Sequence, residues 1–188
     1  MTTTVPLSFE RLDKRGDHDD LCLRLGAYSH TCDSYYRVID ESPTASQSLG
    51  AGLVRLLEQW RDQVDELKGV GGTAYLPYDF SDQCTAWLRV TSADGRDAKV
   101  SAGWSLVEGW GINPSDYVAT AREITDFKPL PDAQIECSLD ELSQCIAMNA
   151  EAHAASRGLG SVLSCDQGVV LARSLIQIIE ARRWRPAR

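Results

Sequence analysis

Apolar residues recur along this chain with two different periods, and each change of period marks a new element. Near the start, "VPLSFERLD" places Val5, Leu7 and Phe9 at every second position, and "LCLRLGAYS" does the same with Leu21, Leu23 and Leu25. A period of two sends alternate side chains to opposite faces of a strand. Both stretches therefore predict half-buried strands, joined across the polar loop "KRGDHDD". "SYYRVID", residues 34–40, predicts a third strand. The period then lengthens: Leu49, Leu53, Leu56, Leu57, Trp60, Val64 and Leu67 recur at helical spacing, which collects them on one helix face. Pro43 breaks the chain ahead of this helix, Thr44 or Ser46 supplies a cap, and Gly69 supplies a stop, so the helix is expected over 46–68.

Alternation returns after the Gly71-Gly72 joint. "TAYLPYDF" reads as a strand with Tyr75 and Pro77 on one face and Leu76 and Tyr78 on the other. Pro77 has no N–H to give a neighbour, which confines the strand to a sheet edge. "QCTAWLRVTSADGRDAKVSAGWSL" predicts a hairpin that turns at Asp94-Gly95. Beyond the turn, Val100, Ala102, Trp104 and Leu106 share an apolar face, which makes Trp104 a core residue. Gly103, on the other face, leaves room for a close neighbour or a bulge. Residues 127–134, "FKPLPDAQ", read as a linker.

The last third is helical. Ser138 and Glu141 form a capping box ahead of a helix over 139–157. Its inner stripe is Leu139, Leu142, Cys145, Ile146 and Asn149, and His153 falls on its polar side. A second box, Ser164 and Gln167, opens a helix over 165–184 that would return antiparallel to the first. The expected fold is one α+β domain over 1–188. An antiparallel sheet packs on an amphipathic helix in 1–134, and a C-terminal helical pair occupies 135–188.

Charge and composition narrow the partners. The net charge is −8, which disfavours phosphate backbones and makes nucleic acid an unexpected ligand. The arginines of "ARRWRPAR" read as cations complementing a helix C-terminus. No apolar run reaches membrane-spanning length, and the first residues lack a basic head followed by an apolar stretch; a cytoplasmic protein with no membrane role is expected. Arginine outnumbers lysine 15 to 4, which suggests a GC-rich bacterial source. The six cysteines include no C-x-x-C pair, and "HTCD" with Cys22 lacks the second ligand pair zinc usually takes. Reduced thiols, no metal and no cofactor are expected. "GVGGT" follows a helix and lacks the lysine of a phosphate loop, and no G-x-S-x-G elbow occurs.

One stretch resists the periodic reading. In "EGWGINPSD", Trp110 stands between two glycines and belongs to neither a strand nor a helix repeat, and loops disproportionately carry function. Four acids, Asp79, Asp82, Glu108 and Asp116, follow or end strands and would meet at one rim if the strands share a sheet. With Tyr78, Trp110 and Tyr117 they suggest an aromatic and acidic binding surface. The first functional expectation is a non-catalytic protein-binding protein of toxin-neutralising, immunity type, whose partner is basic. The second is a small glycosidase-like hydrolase, in which two of Asp79, Asp82, Glu108 and Asp116 act as a carboxylate pair beside an aromatic that holds a sugar ring. The third is a structural oligomer subunit. Asp82 and Asp116 also suit a plainer role, bonding their own backbone in turns.

Overall fold

Both halves of the strand pattern fold as antiparallel meanders in the computed structural model, which describes residues 6–12, 21–33, 49–81, 83–113 and 116–159, the side chains of 49–51, 110 and 156–159 excepted. The first sheet takes β1 (Leu7–Arg11), β2 (Leu21–Leu25) and β3 (Tyr28–Cys32) in that order. The second takes β4 (Gly72–Phe80), β5 (Thr85–Ser92), β6 (Asp97–Ser105) and β7 (Lys128–Ser138), again in chain order. Among the described residues three α-helices complete the fold: α1 (Leu49–Glu66), the short α2 (Val118–Ala121) and α3 (Leu139–Leu159). This is an α+β protein, as the pattern predicts.

Two elements differ from the sequence reading. "LCLRLGAYS" is two strands rather than one. Gly26 adopts a positive φ of 57°, and Leu25 pairs directly with Tyr28, so Gly26-Ala27 is a tight hairpin turn. The segment "FKPLPDAQ" is no linker either. From Lys128 onward it forms the first part of β7, the outer strand of the second sheet. Its two prolines mislead, because a strand with one unpaired edge tolerates residues that cannot donate. The expected strand at 34–40, the Thr44 or Ser46 cap, the loop at 13–20 and the helix at 165–184 lie outside the described residues.

The inner face of the second sheet follows the alternation. Leu76, Leu88 and Ala102 form one row, and Ala74, Val90, Val100 and Ile135 form the next. Apart from the partly buried Ile135, all are buried. From the first sheet, Leu7, Phe9, Leu21, Leu23 and Leu25 join the same contiguous core. Helices α1 and α3 pack against each other, and α3 also contacts β1 and β7. Trp60 of α1 is fully buried and stacks on Phe9 with ring centroids 5.8 Å apart. It is therefore the core anchor its helical spacing suggests.

Helix α3 starts as its capping box requires. The Ser138 hydroxyl accepts from the Glu141 N–H at 3.1 Å, and Glu141 Oε2 accepts from the Ser138 N–H at 3.1 Å. Further along, Asn149 does more than interrupt the apolar stripe. Its Oδ1 accepts from the Phe9 N–H at 2.8 Å, and its Nδ2 donates to the Leu7 carbonyl at 3.3 Å. One side-chain amide thus pairs with the outer edge of β1 as a neighbouring strand would. His153, one turn later, is not on a purely polar face: its Nε2 lies 2.6 Å from the Phe9 carbonyl oxygen, which can only accept. Together the two side chains close an edge that would otherwise offer free backbone groups to another chain.

Candidate functional site

The far end of the second sheet holds Tyr78, Asp79 and Glu108 among the residues that the sequence singles out. Strand β4 is an edge strand, as Pro77 predicts, and its pairing with β5 shifts register between Pro77 and Asp79. The irregularity brings Asp79 opposite Ala86 and leaves Tyr78 fully buried. Beyond the strand, the turn at Ser81 is tied by its own hydroxyl, which donates to the Cys84 carbonyl at 2.8 Å. The chain after β6 then folds back onto this turn. A 3-10 turn at Gly109–Gly111 places the Gly109 N–H 2.7 Å from the Ser81 carbonyl. Gly109 is required there, because a Cβ would run into the Ser81 backbone. Asp79 and Glu108 are therefore brought to the same end of the sheet, each within two residues of this contact.

Asp79 is half-buried and engaged. Its Oδ2 lies 2.8 Å from Nε2 of His30, which reaches across from β3 of the other sheet. The imidazole stacks on Tyr28 and meets Tyr78 edge-on, at centroid distances of 6.4 and 5.6 Å. Nothing in the sequence pointed to His30 as Asp79's partner, since the two lie 49 positions apart. Burial, followed by the hydrogen bond with Tyr28, pushes the Tyr78 hydroxyl far above its ordinary pKa.

Glu108 and Asp116 are exposed, and neither forms an ion pair with a described residue. Asp116 sits in a turn in which its own N–H donates to the Asn113 carbonyl at 2.9 Å. Tyr117, the next residue, is fully buried and packs on Trp87 at a T-shaped 6.3 Å. Its hydroxyl has no hydrogen-bond partner among the described residues, and burial raises its pKa strongly. Tyr78 and Tyr117 thus belong to the core and present no surface to a ligand. Their alternation and their place beside acids suggest a platform, but the bulge turns one ring inward and the α2 segment folds the other beneath it. Asp82 and the side chain of Trp110 lie outside the description.

One reading of the tryptophans also changes. Trp104 is only half-buried, with Lys128 Nζ 4.6 Å from its ring centroid. Trp87, on the other face of the sheet, is fully buried, its indole N–H donating to the Ser105 hydroxyl at 2.9 Å. Gly103 has the close neighbour expected of it: a Cβ would collide with the Lys128 carbonyl and the Phe127 ring. The pairing with β7 also shifts register at this point.

Among the described residues, Cys22, Cys84, Cys137 and Cys145 form no disulfide. Burial pushes the Cys137 thiol up to about 11, so it stays protonated and a poor nucleophile near neutrality. Among the described residues, no group of three or more His, Cys, Asp or Glu side chains is placed to hold a metal ion, and no helix is long and apolar enough to cross a membrane. No family model matches the chain, and neither a curated protein nor a solved structure is found similar to it.

Proposed function

We propose that this chain is a non-catalytic binding protein for a basic protein partner, which it meets at the rim built by Asp79, Glu108 and Asp116. The carrying observation is that Glu108 and Asp116 are exposed carboxylates without a described cation beside them, on a chain of net charge −8. Uncompensated charge of one sign speeds the encounter with a partner of the other sign and sets its register. Trp110 lies between Glu108 and Asp116 and joins the proposed surface on its position alone. The finer reading is neutralisation of a cationic toxin in a bacterial cytoplasm. The sugar-hydrolase alternative is weaker, because Tyr78 and Tyr117 are buried and Asp79 is held by His30.

The test is affinity capture by the immobilised chain at low ionic strength, with the wild type run beside a Glu108→Lys/Asp116→Lys variant. The reading expects the wild type to retain a basic protein that salt releases. The variant should lose it while melting at the wild-type temperature. Equal capture by both proteins, or capture of no basic protein, would sink the proposal.

A further inference from the structure

The edges of the two sheets are guarded in different ways. In the second sheet both outer strands carry prolines, Pro77 in β4 and Pro129 and Pro131 in β7, which discourage the addition of another strand. Strand β1 is an outer strand of the first sheet and has no proline from Leu7 to Arg11. The Pro6 carbonyl accepts from the Gly26 N–H at 3.0 Å, so the even positions turn toward β2. Leu7, Phe9 and Arg11 therefore turn their N–H and C=O groups outward. One stripe of α3 meets the groups of the first two. The Leu7 N–H donates to the Cys145 sulfur, and the Leu7 carbonyl accepts from Asn149 Nδ2 at 3.3 Å. The Phe9 N–H donates to Asn149 Oδ1 at 2.8 Å, and the Phe9 carbonyl lies 2.6 Å from His153 Nε2. Cys145, Asn149 and His153 recur at every fourth position, which sets them on one helix face. The Asn149 amide is held in this orientation because Nδ2 also donates to the Cys145 carbonyl at 2.7 Å. A helix face thus reproduces the order of donors and acceptors that a strand would present.

We propose that the stripe of Cys145, Asn149 and His153 is a latch that keeps β1 from pairing with β1 of a second copy of this chain. The strand is complementary to itself. An antiparallel pair centred on Phe9 sets Phe9 opposite Phe9, Leu7 opposite Arg11 and Ser8 opposite Glu10. The outward-turned residues then all fall in hydrogen-bonded pairs, with roughly six backbone hydrogen bonds between the copies. On the solvent side a hydroxyl faces a carboxylate, the same match that already joins Ser8 Oγ to Glu10 Oε1 at 3.0 Å within one strand. Helix α3 occupies this edge, so its stripe and a second β1 exclude one another. The latch is separate from the rim of Asp79, Glu108 and Asp116, and salt tells the two apart. Screening weakens the attraction of the rim for a basic partner, whereas it weakens the repulsion between two chains of net charge −8 and so favours their pairing.

The experiment follows sedimentation of the full chain across a range of concentrations, for the wild type, Asn149→Ala/His153→Ala and His153→Gln. The double variant should pass from monomer to dimer as its concentration rises, at least about tenfold below any concentration at which the wild type does so. His153→Gln keeps a donor for the Phe9 carbonyl and should sediment with the wild type. In the double-variant background, a Ser8→Cys chain mixed with a Glu10→Cys chain should give the mixed disulfide in preference to either like pair. Residues opposite one another at such a position lie about 4.5 Å apart, within disulfide reach. Amide exchange in the wild type checks the latch without any substitution, since Leu7 and Phe9 should exchange as slowly as Leu23 of the inner strand. If the double variant melts below the working temperature, His153→Ala alone carries the same comparison. A folded variant that stays monomeric at every concentration, cross-links that favour like pairs, or Leu7 and Phe9 amides that exchange at the rate of unbonded ones would each overturn the latch.

Discussion

Strand β6 runs through two environments, and they divide the molecule. At one end Val100 and Ala102 are sealed within the core. At the other, on the same face, Trp104 is half-buried, and just past the end of the strand Leu106 is largely exposed. The apolar alternation in the sequence continues past the point where the described residues bury it fully. A closed region therefore owes its stability to burial, whereas the open region keeps apolar side chains partly in contact with water. The first edge of the other sheet belongs with the closed region, since α3 lays Asn149 and His153 along β1. If this division is right, substitutions should separate by region in their effect on stability.

The largest effect is expected at Trp60. Its ring is fully buried against Phe9, and truncation leaves a cavity that the surrounding helices and strands cannot fully close. Trp60→Ala should cost about 3–5 kcal/mol, read as a fall in the urea midpoint at unchanged slope. Trp104→Ala should cost far less. Similar losses at the two positions would erase the distinction between the regions.

Gly103 marks the boundary between them. A methyl group there meets the Lys128 carbonyl and the Phe127 ring. Backbone gives way less readily than a side chain, so Gly103→Ala should destabilise by about 1–3 kcal/mol. Amide exchange should quicken along the β6–β7 pairing before anywhere else. Wild-type stability in this variant would mean that β7 can move away from β6 freely.

At the closed edge, Asn149→Ala removes the partner of the Phe9 N–H and the Leu7 carbonyl. Partly buried backbone groups left without partners cost about 1–3 kcal/mol. Asn149→Asp retains the acceptor and loses the donor, so it should fall between alanine and the wild type. If alanine were neutral in thermal melts, Asn149 would be no strand substitute.

Much of this was legible in the sequence because local pattern carries it. The period of two located β1, β2 and β4 to β6. The period of three to four located α1, and the Ser138–Glu141 spacing fixed the start of α3. What the pattern misjudged depends on neighbours distant in the chain. Trp104 looks like core because alternation says which face a residue occupies but not how far the opposing layer extends. Tyr78 and Tyr117 looked like surface because acids flank them, yet a bulge and a folded-back segment bury both. Asn149 looked like a flaw in a helix stripe because its partners lie about 140 positions away. His30 and Asp79 likewise meet only once two separate sheets have formed.

A smaller effect is expected where α1 and α3 meet near the closed end. Burial works against ionisation of Asp65, but hydrogen bonds from Lys68 and Ser143 and the charges of Lys68 and Arg61 outweigh it. Its pKa lies below the ordinary 3.8. A carboxylate with a depressed folded pKa stabilises above its unfolded value, and that contribution is lost as pH falls through the folded one. Asp65→Asn should therefore lower the melting temperature slightly at neutral pH, by no more than an exposed ion pair is worth. The gap from wild type should close as pH drops below 3.8. A gap that stays constant with pH would assign the loss to packing.

The smallest effect on stability should come from Leu106→Ser, and that is what makes it the sharpest probe of the open region. Leu106 follows directly from the core stripe of β6, and its backbone N–H is held by Asp126 Oδ2 at 2.8 Å. Its position is thus fixed while its side chain is free of the core. Surface replacements of this kind move stability by about 0.5 kcal/mol or less, and serine keeps the backbone contact. Unchanged melting would place the leucine side chain outside the core. A drop comparable to that of Gly103→Ala would instead show that Leu106 is covered in solution, and the open end of the sheet would then be an extension of the closed one.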